Sequence, residues 1–356
     1  MRTLATVQRV IAVSPVPNSD NLDVVRVLGW DVVTRKDEEH RVGDKVVFFE
    51  IDSFLPADDA RFDFLRNSCY RETTWGGNGF RLRTIKLRGQ ISQGLVMPMS
   101  QFPELLPDTE EGCDVTELLR VIKWDPPENI LYTKGPKNTQ HGSAKGGRPD
   151  WIPKTDEIRL QSDPSMLQQL IGQPYYITQK MDGTSTTIYF KDGEIGGCSR
   201  RCDILMDEDN ILTRLVSKLN LAISLPKYAE CAHPKGIAIQ GELCGPGIQK
   251  NRAKFVQCEW LVFDAFDIGT QKYLSFDDLQ CLCEALQLKT VPVLEEGTFF
   301  PECTQENMLR MAEGATYMKG VPAEGIVVRS QNTPPSLPTR ISFKVINNRY
   351  LLKHDE

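Results

Sequence analysis

One lysine stands out by its setting, because it ends an apolar, β-branched run and precedes an Asp-Gly pair, in residues 176–183 (YITQKMDG). A lysine is nucleophilic only when its amine is neutral, which burial or a neighbouring cation such as a metal ion can achieve. Asp182 can help to hold that metal, and Gly183 lets the chain turn away closely. The stretch therefore predicts that Lys180 is a nucleophile, with an ordinary Asp-Gly turn as the alternative.

Further charged groups lie at or near the ends of other predicted strands. Glu242 closes the strand predicted over 236–242, Glu324 directly precedes a strand beginning at residue 325, and Lys344 lies near the end of the last predicted strand. Two carboxylates and a second lysine placed in this way can form one site with Lys180. The alternative is that Glu242 and Glu324 are surface carboxylates at strand ends.

The elements that must position these groups fall into two regions of different pattern. Residues 1–130 contain short apolar stretches separated by turns. Many short strands with few helical periods are typical of a small closed β-barrel. Residues 131–150 are rich in Gly, Pro, Lys and Ser, which predicts a linker or mobile loop. The strands expected in the first region cover residues 4–7, 10–13, 21–28, 46–51 and 94–98.

From residue 151 to residue 356 the pattern is mixed α and β. A hairpin is predicted over 185–195, with an Asp-Gly turn at Asp192. Strands are expected over 236–242, 261–267, 325–328 and 341–345, and helices over 210–221, 275–286 and 304–315. The predicted fold class is therefore α+β, with a small β-barrel module over 1–130, a linker over 131–150 and a mixed domain over 151–356.

Composition limits the classes of protein that the chain can belong to. Its 356 residues, 40% hydrophobic content and 25% charged content are those of a soluble globular protein with room for two domains. No apolar run approaches the length of a membrane span, and the N-terminus has no apolar signal core. Ten scattered cysteines without a C-x-x-C pair indicate an intracellular, cytoplasmic location. Four histidines that lie far apart argue against a zinc site.

Residues 61–90 differ in character from the rest of the first region. Basic residues outnumber acidic ones there, and aromatic residues are interleaved with them, although the whole chain carries a net charge of −6. Basic groups that bind phosphates together with aromatic rings that stack on bases are typical of contact with single-stranded or nicked nucleic acid. The alternative is a solvated loop whose aromatic side chains belong to the barrel core. The residues concerned are Arg61, Arg66, Arg71, Arg81, Arg83, Lys86 and Arg88, with Phe62, Phe64, Tyr70, Trp75 and Phe80.

Five short motifs in a fixed order connect these observations. Lys-x-Asp-Gly, Glu-Leu-x-Gly, Phe-Asp-Ala-Phe-Asp, Glu-Gly-Ile-Val-Val-Arg and Phe-Lys-Val-Ile, within about residues 151–350, resemble the motif series of the covalent nucleotidyltransferases. That superfamily comprises ATP-dependent DNA and RNA ligases, NAD-dependent DNA ligases and mRNA capping enzymes. The resemblance implies an ATP-grasp-like ligase domain of antiparallel sheets flanked by helices.

The ends of the chain favour one branch of that superfamily. Only twelve residues follow Lys344 (356 − 344), which leaves no room for the C-terminal barrel of DNA ligases and capping enzymes. A β-rich module precedes the catalytic region instead, as in the RNA ligases with an N-terminal OB-fold of the Deinococcus and Naegleria type. The stretch TDEIRLQ at 155–161 is also similar to that group.

The resemblance implies a role for each candidate residue. Lys180 would attack the α-phosphate of ATP to give lysyl-AMP, and Lys344 would contact that phosphate. Asp182, Glu242 and Glu324 would hold Mg²⁺ or Mn²⁺. The AMP would pass to a 5′-phosphate end, and a 3′-hydroxyl would then attack to seal the strand.

Further residues would bind the nucleotide around these groups. Arg159 would orient the pyrophosphate, and Gln179 could read the adenine edge. Arg200, with Arg201 as the alternative, would touch the ribose or the nucleic acid. Phe266 would stack on adenine, with Phe263 as the alternative. Side chains alternate along a strand, so only one of the two rings can face a pocket.

The expected activity is an ATP-dependent RNA ligase that acts as a monomer on RNA with 5′-phosphate and 3′-hydroxyl ends, in particular nicks in duplex RNA. The alternatives are a DNA ligase, a GTP-using capping enzyme, and a nucleic-acid-binding protein with a decayed transferase domain. One position departs from many relatives, since Ile346 stands where they carry a second lysine. Either Lys344 suffices alone, or Arg349 or Lys353 supplies the charge.

Overall fold

The computed structural model describes residues 2–126, 143–317 and 320–354. The described residues form two compact units. The first comprises those of Met1–Pro127 with Gln161–Pro164 and Leu351–Glu356, and the second comprises those of Glu128–Leu160 with Ser165–Tyr350. No helix in the described ranges is long and apolar enough to cross a membrane.

The first unit is built from short antiparallel strands, as predicted for an OB-like module. Three sheets have the strand orders β1-β5-β11, β2-β3-β4 and β12-β6-β8-β7, and β9 pairs with β10 as a hairpin. The strands are β1 (Ala5–Arg9), β2 (Ala12–Pro15), β3 (Leu22–Val27), β4 (Trp30–Arg35), β5 (Lys45–Phe49), β6 (Ser53–Pro56), β7 (Tyr70–Thr73), β8 (Gly77–Arg81), β9 (Ile85–Leu87), β10 (Gln90–Ser92), β11 (Leu95–Pro98) and β12 (Ile122–Lys123), with helix α1 (Arg66–Cys69) before β7.

Strand β5 supplies both cores of this unit. Its side chains alternate, so that Val46 and Phe48 face one buried cluster while Val47 and Phe49 face another. All four side chains are fully buried. A strand that is apolar on both faces is therefore the central element of the module.

The basic and aromatic stretch 61–90 divides between core and surface. Phe62 and Phe80 are fully buried, which agrees with the alternative that the aromatic side chains of this stretch belong to the barrel core. Tyr70 is partly exposed and lies under the guanidinium of Arg66, which is 5.4 Å from the centre of its ring. Phe64 is 62% exposed. Contact with nucleic acid therefore remains a prediction for the exposed part of the stretch.

The linker predicted over 131–150 lies partly outside the described residues, which resume at residue 143. Its last part is not a linker, because Ala144–Gly147 forms strand β13 in the second unit. This strand pairs with the segment 202–204 at the edge of the sheet, and the pairing provides hydrogen-bond partners for its backbone groups. The composition of the strand is nevertheless typical of a loop.

The second unit contains two sheets. The larger has the order β13-β18-β17-β16-β19-β20-β21, and the smaller has the order β14-β24-β23-β15-β22. The remaining strands are β14 (Ile158–Arg159), β15 (Pro174–Lys180), β16 (Thr184–Lys191), β17 (Glu194–Ser199), β18 (Cys202–Ile204), β19 (Ile237–Cys244), β20 (Glu259–Asp267), β21 (Lys272–Tyr273), β22 (Val293–Thr298), β23 (Gly325–Ser330) and β24 (Ser342–Ile346). The helices are α2 (Ser165–Leu170), α3 (Ile211–Lys218), α4 (Leu221–Ala232), α5 (Phe276–Ala285), α6 (Gln305–Gly314) and α7 (Asn348–His354).

Local sequence explains most of these boundaries. The side chains of Ser275 and Thr304 accept backbone N–H groups at the starts of α5 and α6, which confirms the predicted caps. The prediction of a single helix over 210–221 is wrong. Asn220 adopts a left-handed conformation (φ 53°) that ends α3 and separates it from α4. Helix α4 was not predicted, because Pro226 lies inside it and proline normally signals a helix end.

The two sheets pack against each other through one core. The smaller sheet contributes Ile177, Val328 and Val345, and the larger contributes Cys244 and Leu261 to the same buried cluster. Strands β15, β23 and β24 are neighbours, so groups at their ends must lie close together. This arrangement positions the candidate site.

Candidate active site

Lys180 is the last residue of β15 and forms an ion pair with Glu324. Its Nζ lies 2.8 Å from Oε2 of Glu324, and the two side chains are 25% and 20% exposed. The pair forms because Lys180 is in register with Gly325, the first residue of β23. The sequence-predicted nucleophile and one predicted carboxylate are thus brought together.

The phenol of Tyr317 fixes the same two segments to each other. Its hydroxyl donates to the carbonyl oxygen of Lys180 at 2.9 Å and accepts the backbone N–H of Glu324 at 3.1 Å. Tyr317 is only 3% exposed, so both hydrogen bonds are shielded from water. Sequence reasoning missed this residue, because no local pattern marks an isolated tyrosine between two elements.

The other two predicted carboxylates have partners other than Lys180. Oε1 of Glu242 accepts the backbone N–H of Gly183 at 3.1 Å. A side chain at Gly183 would collide with the carbonyl oxygen of Leu243, so only glycine permits this close approach. Asp182 is held by Arg252, whose Nη1 lies 2.7 Å from Oδ2, and the same Nη1 lies 3.1 Å from the hydroxyl of Tyr350. Arg252 was also missed, because it lies seventy residues from Asp182 (252 − 182).

These charges shift the pKa values of their neighbours. Burial by itself would lower the pKa of Lys180, but Glu324, Glu242 and Asp182 outweigh burial and raise the pKa. Burial raises the pKa of Glu242 to about 8, and the carboxylates of Glu324 and Asp182 add to that rise while Lys180 opposes it. In this arrangement Lys180 is therefore a cation, and attack on a phosphate requires that its proton leave.

The predicted metal ligands do not yet form a metal site. Within residues 2–126, 143–317 and 320–354, no three acidic, histidine or cysteine side chains converge closely enough to hold an ion. The donor set nevertheless suits a hard divalent cation, since all three groups are carboxylates whose charges act on Lys180, and repulsion from Glu324 and Asp182 disfavours the charged form of Glu242. Asp182, Glu242 and Glu324 would have to exchange their present partners to bind a metal, so their role stays a prediction.

A cavity opens beside Lys180. It contains about 540 Å³ of space, part of which is open to solvent. Gln179, Glu242 and Lys344 line it together with Lys180, and Phe263 and Arg329 line it as well. Lys344 reaches it from β24, where it is in register with Val327 of β23.

The two candidate rings, Phe263 and Phe266, lie in different environments. Phe263 lines the cavity, whereas Phe266 is 6% exposed and packs edge-on against Tyr273 in a separate buried cluster. Regular alternation along β20 was expected to place only one of the two rings in a pocket. The register with β19 shifts between Val262 and Asp264, so Phe263 is an unpaired bulge residue whose side chain is aimed differently.

Of the remaining predicted residues, Gln179 lines the cavity, whereas Arg159 and Arg200 do not. Nε2 of Gln179 donates to the carbonyl oxygen of Thr316 at 2.7 Å. Arg159 is buried and in register with Lys344, but it does not line the cavity. Arg200 forms an ion pair of 2.8 Å with Asp156, which lines the cavity, while neither Arg200 nor Arg201 does so itself.

A charge network adjoins Phe263 at the wall of the cavity. Arg329 is 5.8 Å from the centre of the Phe263 ring and forms an ion pair of 3.0 Å with Glu157. Arg340 binds Asp264, with Nη1 2.9 Å from Oδ1. Burial opposes the charge of Glu157, but Arg329 and Arg340 outweigh it and lower the pKa of that carboxyl. Ion pairs between charged side chains therefore stabilise this wall of the cavity.

Ile346 is 3% exposed and belongs to the end of β24, so the position that departs from many relatives carries an apolar core residue. Arg349 is exposed, and its backbone N–H bonds to the side chain of Asn347. Lys353 belongs to the first unit. Whether either residue replaces the lysine stays a prediction.

Comparisons with known proteins identify families and solved structures that are similar to the chain. A family model described as RNA ligase matches residues 173–346, and one described as an OB-fold domain matches residues 4–99. The solved structure of the Naegleria gruberi RNA ligase with PPi is 33% identical, with a TM-score of 0.86, and the match covers 100% of this chain and 99% of that chain.

Two further solved structures are similar to the same extent. Both are mutants of the Naegleria gruberi RNA ligase with 33% identity and a TM-score of 0.87. One, with ATP and Mn, matches over 100% of both chains, and the other, with AMP and Mn, over 99% of both chains. No curated protein matches the chain.

We expect Phe263→Leu to raise the KM for ATP in self-adenylylation by at least about fivefold, because base stacking on an aromatic ring contributes about 1–3 kcal/mol. Phe266→Leu is the matched control. It should lower the melting temperature, since Phe266 is a core residue, and leave this KM within about twofold. An increase in KM for Phe266→Leu alone would restore the original preference for Phe266.

We expect Tyr317→Phe to slow self-adenylylation at saturating ATP by about ten- to a hundredfold. Each buried partner left without its hydrogen bond costs about 1–3 kcal/mol, and both partners belong to segments that carry reacting groups. The KM for ATP should change little, because the phenol does not line the cavity. A parallel loss of melting temperature with an unchanged rate would show that Tyr317 is only structural.

Proposed function

The chain belongs to the RNA ligase family and is an ATP-dependent RNA ligase, and on that basis we propose how its site performs the reaction. Lys180 forms lysyl-AMP with ATP, the AMP passes to a 5′-phosphate end, and a 3′-hydroxyl displaces it to seal the strand. The observation that carries this proposal is the position of Lys180. It lies at the wall of a cavity that Lys344, Gln179 and Phe263 also line.

The first step requires a neutral amine and an in-line attack. Lys180 must release a proton, and Glu324 at 2.8 Å is its nearest acceptor in the ion pair described above. A bond then forms between Nζ and the α-phosphorus, and the bond from that phosphorus to the bridging oxygen breaks to release pyrophosphate. Lys344, on the neighbouring side of the cavity, neutralises charge on the α-phosphate.

The nucleoside lies against the other wall. Phe263 stacks on adenine, and the guanidinium of Arg329 lies 5.8 Å from the centre of that ring. Gln179 reads the adenine edge, because the bond from Nε2 to Thr316 fixes the orientation of its amide. Arg159, which is in register with Lys344, orients the pyrophosphate. Arg200, which forms an ion pair with Asp156, contacts the ribose or the RNA.

Divalent metal completes this site. The similar Naegleria gruberi structures contain ATP or AMP with Mn, and we assign Mg²⁺ or Mn²⁺ to Asp182, Glu242 and Glu324. The ion supplies positive charge that offsets the phosphate charge and favours the neutral form of a neighbouring lysine.

The substrate that fits best is a nick in duplex RNA with 5′-phosphate and 3′-hydroxyl ends. The partly exposed Tyr70 and the exposed Arg66 of the first unit provide a ring and a cation for one strand. We propose that the protein acts as a monomer. An intracellular, cytoplasmic location is supported by its ten cysteines, all of which are free thiols.

The proposal is tested with Lys180→Ala and two nicked RNA duplexes. One duplex carries a 5′-phosphate at the nick and the other a pre-adenylylated 5′ end. We expect the variant to fail on the first duplex with ATP and magnesium, with activity reduced by more than about a thousandfold. On the second duplex it should retain sealing within about tenfold of the unaltered chain, because the lysyl-AMP step is bypassed. A nick in duplex DNA and single-stranded RNA serve as comparison substrates.

Two results would contradict the proposal. Sealing of the 5′-phosphate duplex by Lys180→Ala would show that another group is the nucleophile. Faster sealing of single-stranded RNA than of the nick by the unaltered chain would overturn the assignment of the substrate.

A further inference from the structure

The connection between β19 and β20 carries a concentration of positive charge. Residues 245–258 contain Lys250, Arg252 and Lys254 and no acidic residue, although the chain as a whole has a net charge of −6. We call this segment the basic loop. A local excess of cations on an acidic protein is a candidate surface for an anionic partner.

The basic loop is held in one conformation. Asn251 makes two reciprocal bonds with Phe255, because Nδ2 donates to the carbonyl oxygen at 2.9 Å and Oδ1 accepts the N–H at 3.0 Å. Ala253 is 4% exposed and belongs to the buried cluster that includes Met181, against which Phe255 also packs. The loop is therefore anchored in the core directly beside the nucleophile.

Its three cations have different environments. Arg252 points to the active site and binds Asp182 at 2.7 Å, two residues from Lys180. Lys250 and Lys254 lie on either side of it in sequence and are exposed. Neither lysine lines the cavity that we assign to ATP, so both lie outside it.

We propose that the basic loop is a docking surface for the sugar-phosphate backbone of the RNA substrate, with Lys250 and Lys254 as phosphate contacts. Arg252 is the positioning residue that ties this surface to Asp182. The inference rests on the proposed function and adds the place where the RNA lies near Lys180. Backbone rather than base recognition follows from the side chains, since lysine is a point charge suited to phosphate.

The test is the double substitution Lys250→Ala/Lys254→Ala in the full chain. The probe is a nicked RNA duplex with a 5′-phosphate and a 3′-deoxy end, which binds without being sealed, and ATP is left out. We expect Kd to rise at least about tenfold at low salt, and the slope of log Kd against log salt to fall by about two, one for each lost phosphate contact.

The matched control is Lys227→Ala/Lys272→Ala, which removes the same charge from two exposed positions on α4 and β21. Both variants are also tested for labelling by α-labelled ATP. Weaker RNA binding by the first variant alone, with labelling retained, supports the proposal. Equal RNA affinity in both variants overturns it, and so does a loss of labelling in the first variant, which would place the two lysines at the ATP site. Failure of the unaltered chain to label would instead contradict the proposed function.

Discussion

The antiparallel pairing of β15 with β23 is the constraint on which the site depends. This register places Lys180 opposite Gly325 and so brings its amine to Glu324. A slip by one residue would turn the buried side chains of Ile177 and Val328 to the wrong face, so the core that joins the two sheets also fixes the ion pair. Gly325 is needed here, because any side chain would collide with the carbonyl oxygen of Val345. Packing, rather than the ion pair itself, is therefore what makes the arrangement stable.

The same arrangement favours the form of Lys180 that cannot act as the nucleophile we propose. Three carboxylates favour the protonated amine of Lys180, whereas attack on ATP requires the neutral amine. Each carboxylate already has a partner, namely Lys180, Arg252 or the backbone of Gly183. Binding of ATP with a divalent cation would redistribute these partners, so the site couples the arrival of its substrate to the chemical state of Lys180. A lysine that is a cation until then is protected from side reactions.

The sequence was sufficient for the parts of the site that depend on strand ends. Lys180, Glu324 and Lys344 are close together because their strands are neighbours, and their motifs marked them in order. Two kinds of feature could not be predicted from the sequence. The bulge at Phe263 depends on how β20 pairs with β19, which no local pattern encodes, and Phe263 rather than Phe266 lines the cavity. Tyr317 and Arg252 act through contacts between residues far apart in sequence, and such contacts exist only once the core has formed. The strand at 144–147 shows the same limit, because a partner strand overrides a composition typical of a loop.

The central claim is that the covalent intermediate forms on one particular amine. Mass spectrometry of peptides from the unaltered chain, after incubation with ATP and magnesium, tests it most directly. The account predicts that AMP is attached to the peptide that contains Lys180, through an acid-labile bond to nitrogen, and that added pyrophosphate removes it. An AMP adduct on a different residue, or a fully folded protein that forms no adduct and carries none from purification, would contradict the account.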